Sequence, residues 1–134
     1  MDNCVFCKII RGEIPSAKVF EDEDFLAFLT INPINPGHTL VIPKKHISYV
    51  FDMEDSELGK FLMVCKPIAK ALEKAFNPKT GKIGIMVAGL EVPHAHIHLI
   101  PMESEGDLNF ANAKSVSPDE LSQNAEKIKK VFVI

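Results

Sequence analysis

The chain has 134 residues, 46% apolar and 25% charged, with a formal net charge of −3. That length makes one core-forming domain, and the composition matches neither a disordered chain nor a membrane protein. A negative balance gives no footprint for sequence-independent nucleic-acid binding, and no apolar run approaches the roughly 18 residues of a membrane span. The opening Met1-Asp2-Asn3-Cys4 lacks the basic-then-apolar pattern of a secretory leader. A cytoplasmic protein with reduced thiols at Cys4, Cys7 and Cys65 is expected.

Residues 4–11, with Phe6, Ile9 and Ile10 apolar, predict a short helix that stops at Gly12. Val19-Phe20 and Phe25 to Leu29, separated by the acidic turn Glu21 to Asp24, predict two hairpin-linked strands. After the turn residues Asn32 to Gly37, a strand is expected over His38 to Ile42, ended by Pro43. From Asp55 to Phe76 apolar residues recur at three- and four-residue steps, which predicts an amphipathic helix kinked by Pro67. Asn77-Pro78 and Gly81 break it before a strand over Ile83 to Val87, and a further strand is expected over Ala95 to Ile100. Ser117-Pro118-Asp119-Glu120 carries a cap, a first-turn proline and a capping-box acid, so a last helix runs from there to about Lys130. The pattern predicts a single α+β domain.

The chain holds five histidines, and three of them fall on alternate residues in Val92 to Pro101, VPHAHIHLIP. In a strand this spacing puts His94, His96 and His98 on one face and Ala95, Ile97 and Leu99 on the other. Three neighbouring imidazoles repel one another when protonated, so such a row calls for an anion or a metal against it. Two chemistries fit: a His-x-His metal site that activates water, or an imidazole nucleophile toward phosphorus with its neighbours holding the phosphate oxygens. The spacing does not choose between them.

His94-Ala95-His96-Ile97-His98-Leu99-Ile100 resembles the signature of the histidine-triad nucleotide-binding proteins. Three more blocks look like that family in order and spacing: Cys4 to Pro15, Phe25 to Phe28, and Gly37-His38-Thr39-Leu40-Val41-Ile42-Pro43-Lys44-Lys45-His46. The likeness covers about residues 4–101, and the extension from about 102 to 134 matches no family motif. It implies a five-stranded antiparallel sheet with two main helices, to which the C-terminal helix is added, and a two-fold homodimer. It also implies hydrolysis at the α-phosphorus of a purine nucleoside 5′-phosphoramidate or related nucleotidyl conjugate. His96 then corresponds to the nucleophile, with His98 and His38 beside the phosphate, and a nucleotidyl-histidine intermediate follows. Phe6, Ile9, Phe28 and Ile31 correspond to the apolar residues around the base.

Cys4-x-x-Cys7 by itself is a weak signal, because a structural zinc needs four ligands. Cysteine-bearing members of the family use positions matching Cys4, Cys7, His46 and His94, so a structural Zn²⁺ is implied there. Two residues depart from the pattern. Thr30 stands where many members carry an aspartate for the ribose hydroxyls, and threonine lacks the charge-assisted bidentate contact. Glu91, in a shortened loop, stands where the best-studied branch has a hydroxyl residue, with a leaving-group acid or imidazole-orienting role as the alternatives. Cleavage of dinucleoside polyphosphates, nucleotide binding with little turnover, and metal-dependent hydrolysis remain as competing readings.

Overall fold

The computed structural model describes residues 3–132. A six-residue helix α1 (Val5–Ile10) leads into strands β1 (Ala17–Glu21), β2 (Phe25–Leu29) and β3 (Thr39–Pro43). The long helix α2 (Asp55–Phe76) follows, then β4 (Ile83–Met86), β5 (Ile97–Pro101) and α3 (Pro118–Val131). The strands form one sheet in the order β1-β2-β3-β5-β4, every neighbouring pair antiparallel. The expected five-stranded antiparallel sheet with helices is the observed fold.

Side-chain alternation divides the sheet into two packed faces. Phe25, Ala27, Leu29, Val41, Ile97 and Leu99 join Phe61, Cys65, Ile68 and Leu72 of α2 and Ala125 and Ile128 of α3 in the larger core. Leu26, Phe28, Leu40 and Ile42 point the other way, onto Cys4, Phe6, Cys7 and Ile9 around α1. The α2 helix passes through Pro67 without a break. Cys65 is a core thiol that donates to the Phe61 carbonyl at 3.4 Å, as a helical residue four positions on can. At the first hairpin, Asp22 Oδ1 accepts from the Asp24 and Phe25 N–H groups, which closes the acidic turn. The Ser117 hydroxyl accepts from Glu120 N and starts α3 as expected.

Several strand limits differ from the expected ones by one or two residues, β4 for instance ending at Met86 and not Val87, and two of these differences, at the histidines, have a backbone reason. His38 lies just before β3, because its N–H is used in the preceding turn by Asn35 O at 3.1 Å. His94, Ala95 and His96 lie outside β5. The β3–β5 ladder pairs Val41 with Ile97, and β3 ends two residues later at Pro43, which has no N–H to continue it. Ala95 N donates instead to Ile47 O at 2.7 Å. The alternation nevertheless holds across the run, with Ala95, Ile97 and Leu99 in the larger core.

Gly37 fixes the approach to His38. Its φ is +91°, and a Cβ built on it would lie 2.6 Å from the Phe76 ring at the end of α2. Gly37→Ala combines a left-handed backbone with overpacking, and is expected to cost about 2–4 kcal/mol in urea unfolding. A loss below about 0.5 kcal/mol would contradict this close packing.

Candidate active site and metal cluster

His38, His94, His96 and His98 are all buried, and each is held by a specific partner. His96 Nδ1 lies 2.8 Å from the His94 carbonyl oxygen. A carbonyl only accepts, so Nδ1 carries the proton and Nε2 presents its lone pair. Ile34 N–H donates to His38 Nδ1 at 3.0 Å, so in the neutral ring the proton sits on Nε2. His38 Nε2 is 2.9 Å from His98 Nδ1 and donates to it, which leaves His98 with its proton on Nε2. The backbone therefore sets opposite tautomers on neighbouring rings: a bare nitrogen on His96 and an N–H on His98. Their ring centroids are 4.9 Å apart.

Burial keeps these rings neutral. It pushes His38 down to about 4. Burial, then the nearby His38 and His96, push His98 down to about 3. Burial also lowers His96, against the opposing effects of the His94 carbonyl and of Glu91.

The consequence for stability has a definite sign. An unfolded histidine takes up its proton near 6.5 and folded His38 only near 4, so the unfolded chain binds more protons between these values. Stability is fully present above about 6.5 and falls as pH drops toward 4. The gap corresponds to on the order of 3 kcal/mol for His38 alone, at about 1.4 kcal/mol per pH unit. Urea unfolding at a series of pH values should show this loss, and a curve flat from 6.5 to 4.5 would refute it.

Three further side chains join His94 in a second cluster. Each of Cys4, Cys7, His46 and His94 offers one ligand atom, and these atoms lie within 4.8 Å of one another. Cys4 Sγ is 3.4 Å from His94 Nδ1, and Cys7 Sγ is 3.2 Å from His46 Nδ1 and 3.6 Å from His94 Nδ1. A tetrahedral zinc with S and N ligands at about 2.3 and 2.0 Å has S···N edges of about 3.5 Å, so the four residues fit that ion. His94 Nε2 donates to the Pro43 carbonyl at 2.7 Å, which turns the Nδ1 lone pair toward the thiols. Burial and the adjacent Cys4 push the Cys7 thiol up, so Cys7 resists ionising unless a cation is present.

Phe6, on α1 between the two cysteines, contacts both clusters: its ring centroid is 5.1 Å from His96 and 5.9 Å from His94. A cleft of about 700 Å³ brings together Phe6, Ile9, Phe28, Thr30 and Ile31, with Leu121 and Ser122 of α3 on its far side. Phe6, Ile9 and Phe28 are buried walls of that cleft, whereas Ile31 is 67% exposed. Thr30 Oγ1 accepts from Asn32 N at 3.2 Å, which leaves its O–H free to donate. Glu91 is exposed in the loop after β4 and does not line this cleft.

Three residues that sequence reasoning missed also stand at the site: Asn35, Asp107 and Phe110. Asn35 Nδ2 bonds Pro101 O and Asp107, and the Phe110 ring lies 4.9 Å from that of His98. Residues 103–107 read in sequence as an ordinary polar turn, and nothing local in them signals a contact with a loop some seventy residues earlier.

A HIT domain model matches residues 11–105. An uncharacterized HIT-like protein of Methanocaldococcus jannaschii is 46% identical over 126 residues, 88% of this chain and 95% of that protein. An adenosine 5′-monophosphoramidase of Schizosaccharomyces pombe is 34% identical, covering 94% of this chain and 96% of its own length. Among solved structures, a zinc-bound histidine triad family protein from Mycobacterium smegmatis superposes with a TM-score of 0.82 at 28% identity, over 98% of this chain and 94% of that one. The match to the family model over most of the chain, on a sheet that buries four histidines beside a two-cysteine cluster, establishes that this protein belongs to the HIT family.

Proposed function

We propose that the protein is a nucleotide hydrolase or transferase that acts at the α-phosphorus of purine nucleoside 5′-phosphoramidates or related nucleotidyl conjugates. The observation that carries the proposal is the pair of opposed tautomers, a bare Nε2 on His96 beside an N–H on His98. Phosphoramidase activity in a relative that covers the whole domain supports the substrate class.

The base and ribose occupy the cleft of Phe6, Ile9, Phe28, Thr30 and Ile31, and Thr30 donates to a ribose hydroxyl. His96 Nε2 attacks the α-phosphorus as the bond to the leaving amine breaks, and the amine takes up one proton. His98 Nε2–H donates to a non-bridging oxygen, where negative charge increases in the transition state. Water then attacks the phosphorus, gives up a proton, and displaces His96 to release the nucleoside monophosphate. Neutral imidazole is both a competent nucleophile and a good leaving group at pH 7. Glu91, exposed and outside the cleft, acts on this chemistry through its field at His96.

Cys4, Cys7, His46 and His94 hold a Zn²⁺ that tethers α1 to the sheet. Two buried, unpaired thiols in that set suit a reducing compartment such as the cytoplasm. The exposed Tyr49, Phe51, Leu62, Met63 and Leu90 line a second, apolar cleft of about 1150 Å³ across α2 and the loop after β4. An exposed apolar surface of this extent suits a second copy of the chain, and the protein acts as a homodimer.

Release of AMP from adenosine 5′-phosphoramidate tests the reading. Turnover supports it. Saturable binding of AMP with no turnover of any conjugate would replace it with a binding function.

A further inference from the structure

The segment between β5 and α3 lies mostly beyond the family match, which ends at residue 105, yet it is held close to the site by a dense set of hydrogen bonds. Asp107 Oδ2 accepts from Glu103 N at 2.7 Å, Ser104 N at 3.0 Å and Asn35 Nδ2 at 2.9 Å, and Oδ1 accepts from the Ser104 hydroxyl at 3.0 Å. These bonds hold the carboxyl below its usual range, the contact with Asn35 first. Asn112 Nδ2 reaches back to the carbonyls of Gly106 and Asp107, and Lys114 N donates to Pro33 O. The segment is thereby fastened to the 32–37 loop at two points.

That loop sets the state of the histidines. The Asn35 side chain bonds Asp107 and the Pro101 carbonyl, while its own carbonyl accepts from His38 N. Its neighbour Ile34 supplies the N–H that fixes the His38 proton on Nε2, and His38 in turn fixes that of His98. At the other end of the clamped segment stands Phe110, nearly half exposed, with its ring against His98. Such an ordered pair of short turns contributes no core there. What it does is hold an apolar ring over a buried imidazole, which keeps water from that side of the ring.

We propose that Asp107 and Asn35 are positioning residues for the His38–His98 relay, and that the segment they clamp covers His98 with Phe110. The proposal rests on the reading of the histidine cluster as a nucleotidyl-transfer site, but the state of the rings is observable without turnover. The test combines steady-state kinetics on adenosine 5′-phosphoramidate with imidazole ¹⁵N shifts, which report which ring nitrogen of His98 bears the proton.

Asp107→Ala is expected to lower kcat about ten- to a hundredfold, with KM changed by less than about threefold, and to shift His98 toward mixed tautomers. Asp107→Asn offers a carbonyl to the same three N–H donors and should stay within about threefold of the parent in both readouts. Phe110→Ala should lower kcat several-fold and leave the tautomer unchanged. If Asp107→Ala does not fold, Asn35→Ser carries the same two expectations. A folded Asp107→Ala protein with parental kcat and an unchanged His98 tautomer overturns the proposal. So does Asp107→Asn as impaired as the alanine variant. An inactive parent protein would sink the transfer reading instead, and the tautomer would then decide the clamp alone.

Discussion

His96→Ala is expected to lower AMP release from adenosine 5′-phosphoramidate at least about a thousandfold, while AMP binding stays within a few-fold of the parent. The asymmetry follows from what His96 does and does not touch. Its Nε2 carries a lone pair, since the ring proton on Nδ1 is committed to the His94 carbonyl. Phe6 loses its edge contact with His96, but the cleft walls at Phe6, Ile9 and Phe28 keep their packing against one another, Phe6 edge-on against Phe28 at 5.6 Å. An alanine therefore removes the attacking group without removing the base site. Rapid-quench measurement of AMP in single turnovers checks it. Near-parental turnover would refute nucleophilic catalysis by this residue and direct attention to water activated elsewhere.

Removing the metal should show mainly in stability. Protein that has lost zinc to a chelator, or carries Cys7→Ser, is expected to melt about 10–20 °C lower, corresponding to the loss of several kcal/mol. The parent should contain one zinc per chain by elemental analysis. The reason lies in α1, whose six residues are too short to be stable as an isolated helix. Besides the packing of Phe6 and Ile9, it is held by Cys4 and Cys7 through His46 and His94. Without a metal, the two thiols are left with weak hydrogen bonds to imidazole nitrogens and the Cys7 N–H bond to Cys4 Sγ that caps α1. An identical melting curve with and without chelator, in protein containing no zinc, would refute a structural metal.

The histidine run was legible because a period of two is a strong constraint: Ala95, Ile97 and Leu99 had to enter the core if the histidines shared the opposite face, and they do. The α2 stripe was legible for the same kind of reason, with Phe61, Cys65, Ile68 and Leu72 on one side. The ends of the strands were not. Pairing at Ala95 depends on whether β3 can offer an N–H at Pro43, which the apolar pattern of β5 does not contain. Nor were the proton positions legible. They depend on Ile34 N–H and the His94 carbonyl, backbone groups that any residue supplies, and so leave no trace in side-chain type. Asp107 and Asn35 meet across 72 residues, and sequence reasoning sees such a pair only when a motif joins its ends.

The strand order carries a consequence for how the protein is made. β5 lies between β3 and β4, yet it is the last strand in the chain. Until residues 97–101 emerge, β3 and β4 each present an unpaired edge, and no nearby segment can close the gap. Long-range insertion of this kind is slow compared with hairpin formation and leaves sticky edges open during synthesis. The same event brings His98 to His38 and His94 to the cysteines, so neither cluster is complete in a nascent chain. Closing the sheet and gathering the histidine and cysteine clusters therefore depend on the same strand.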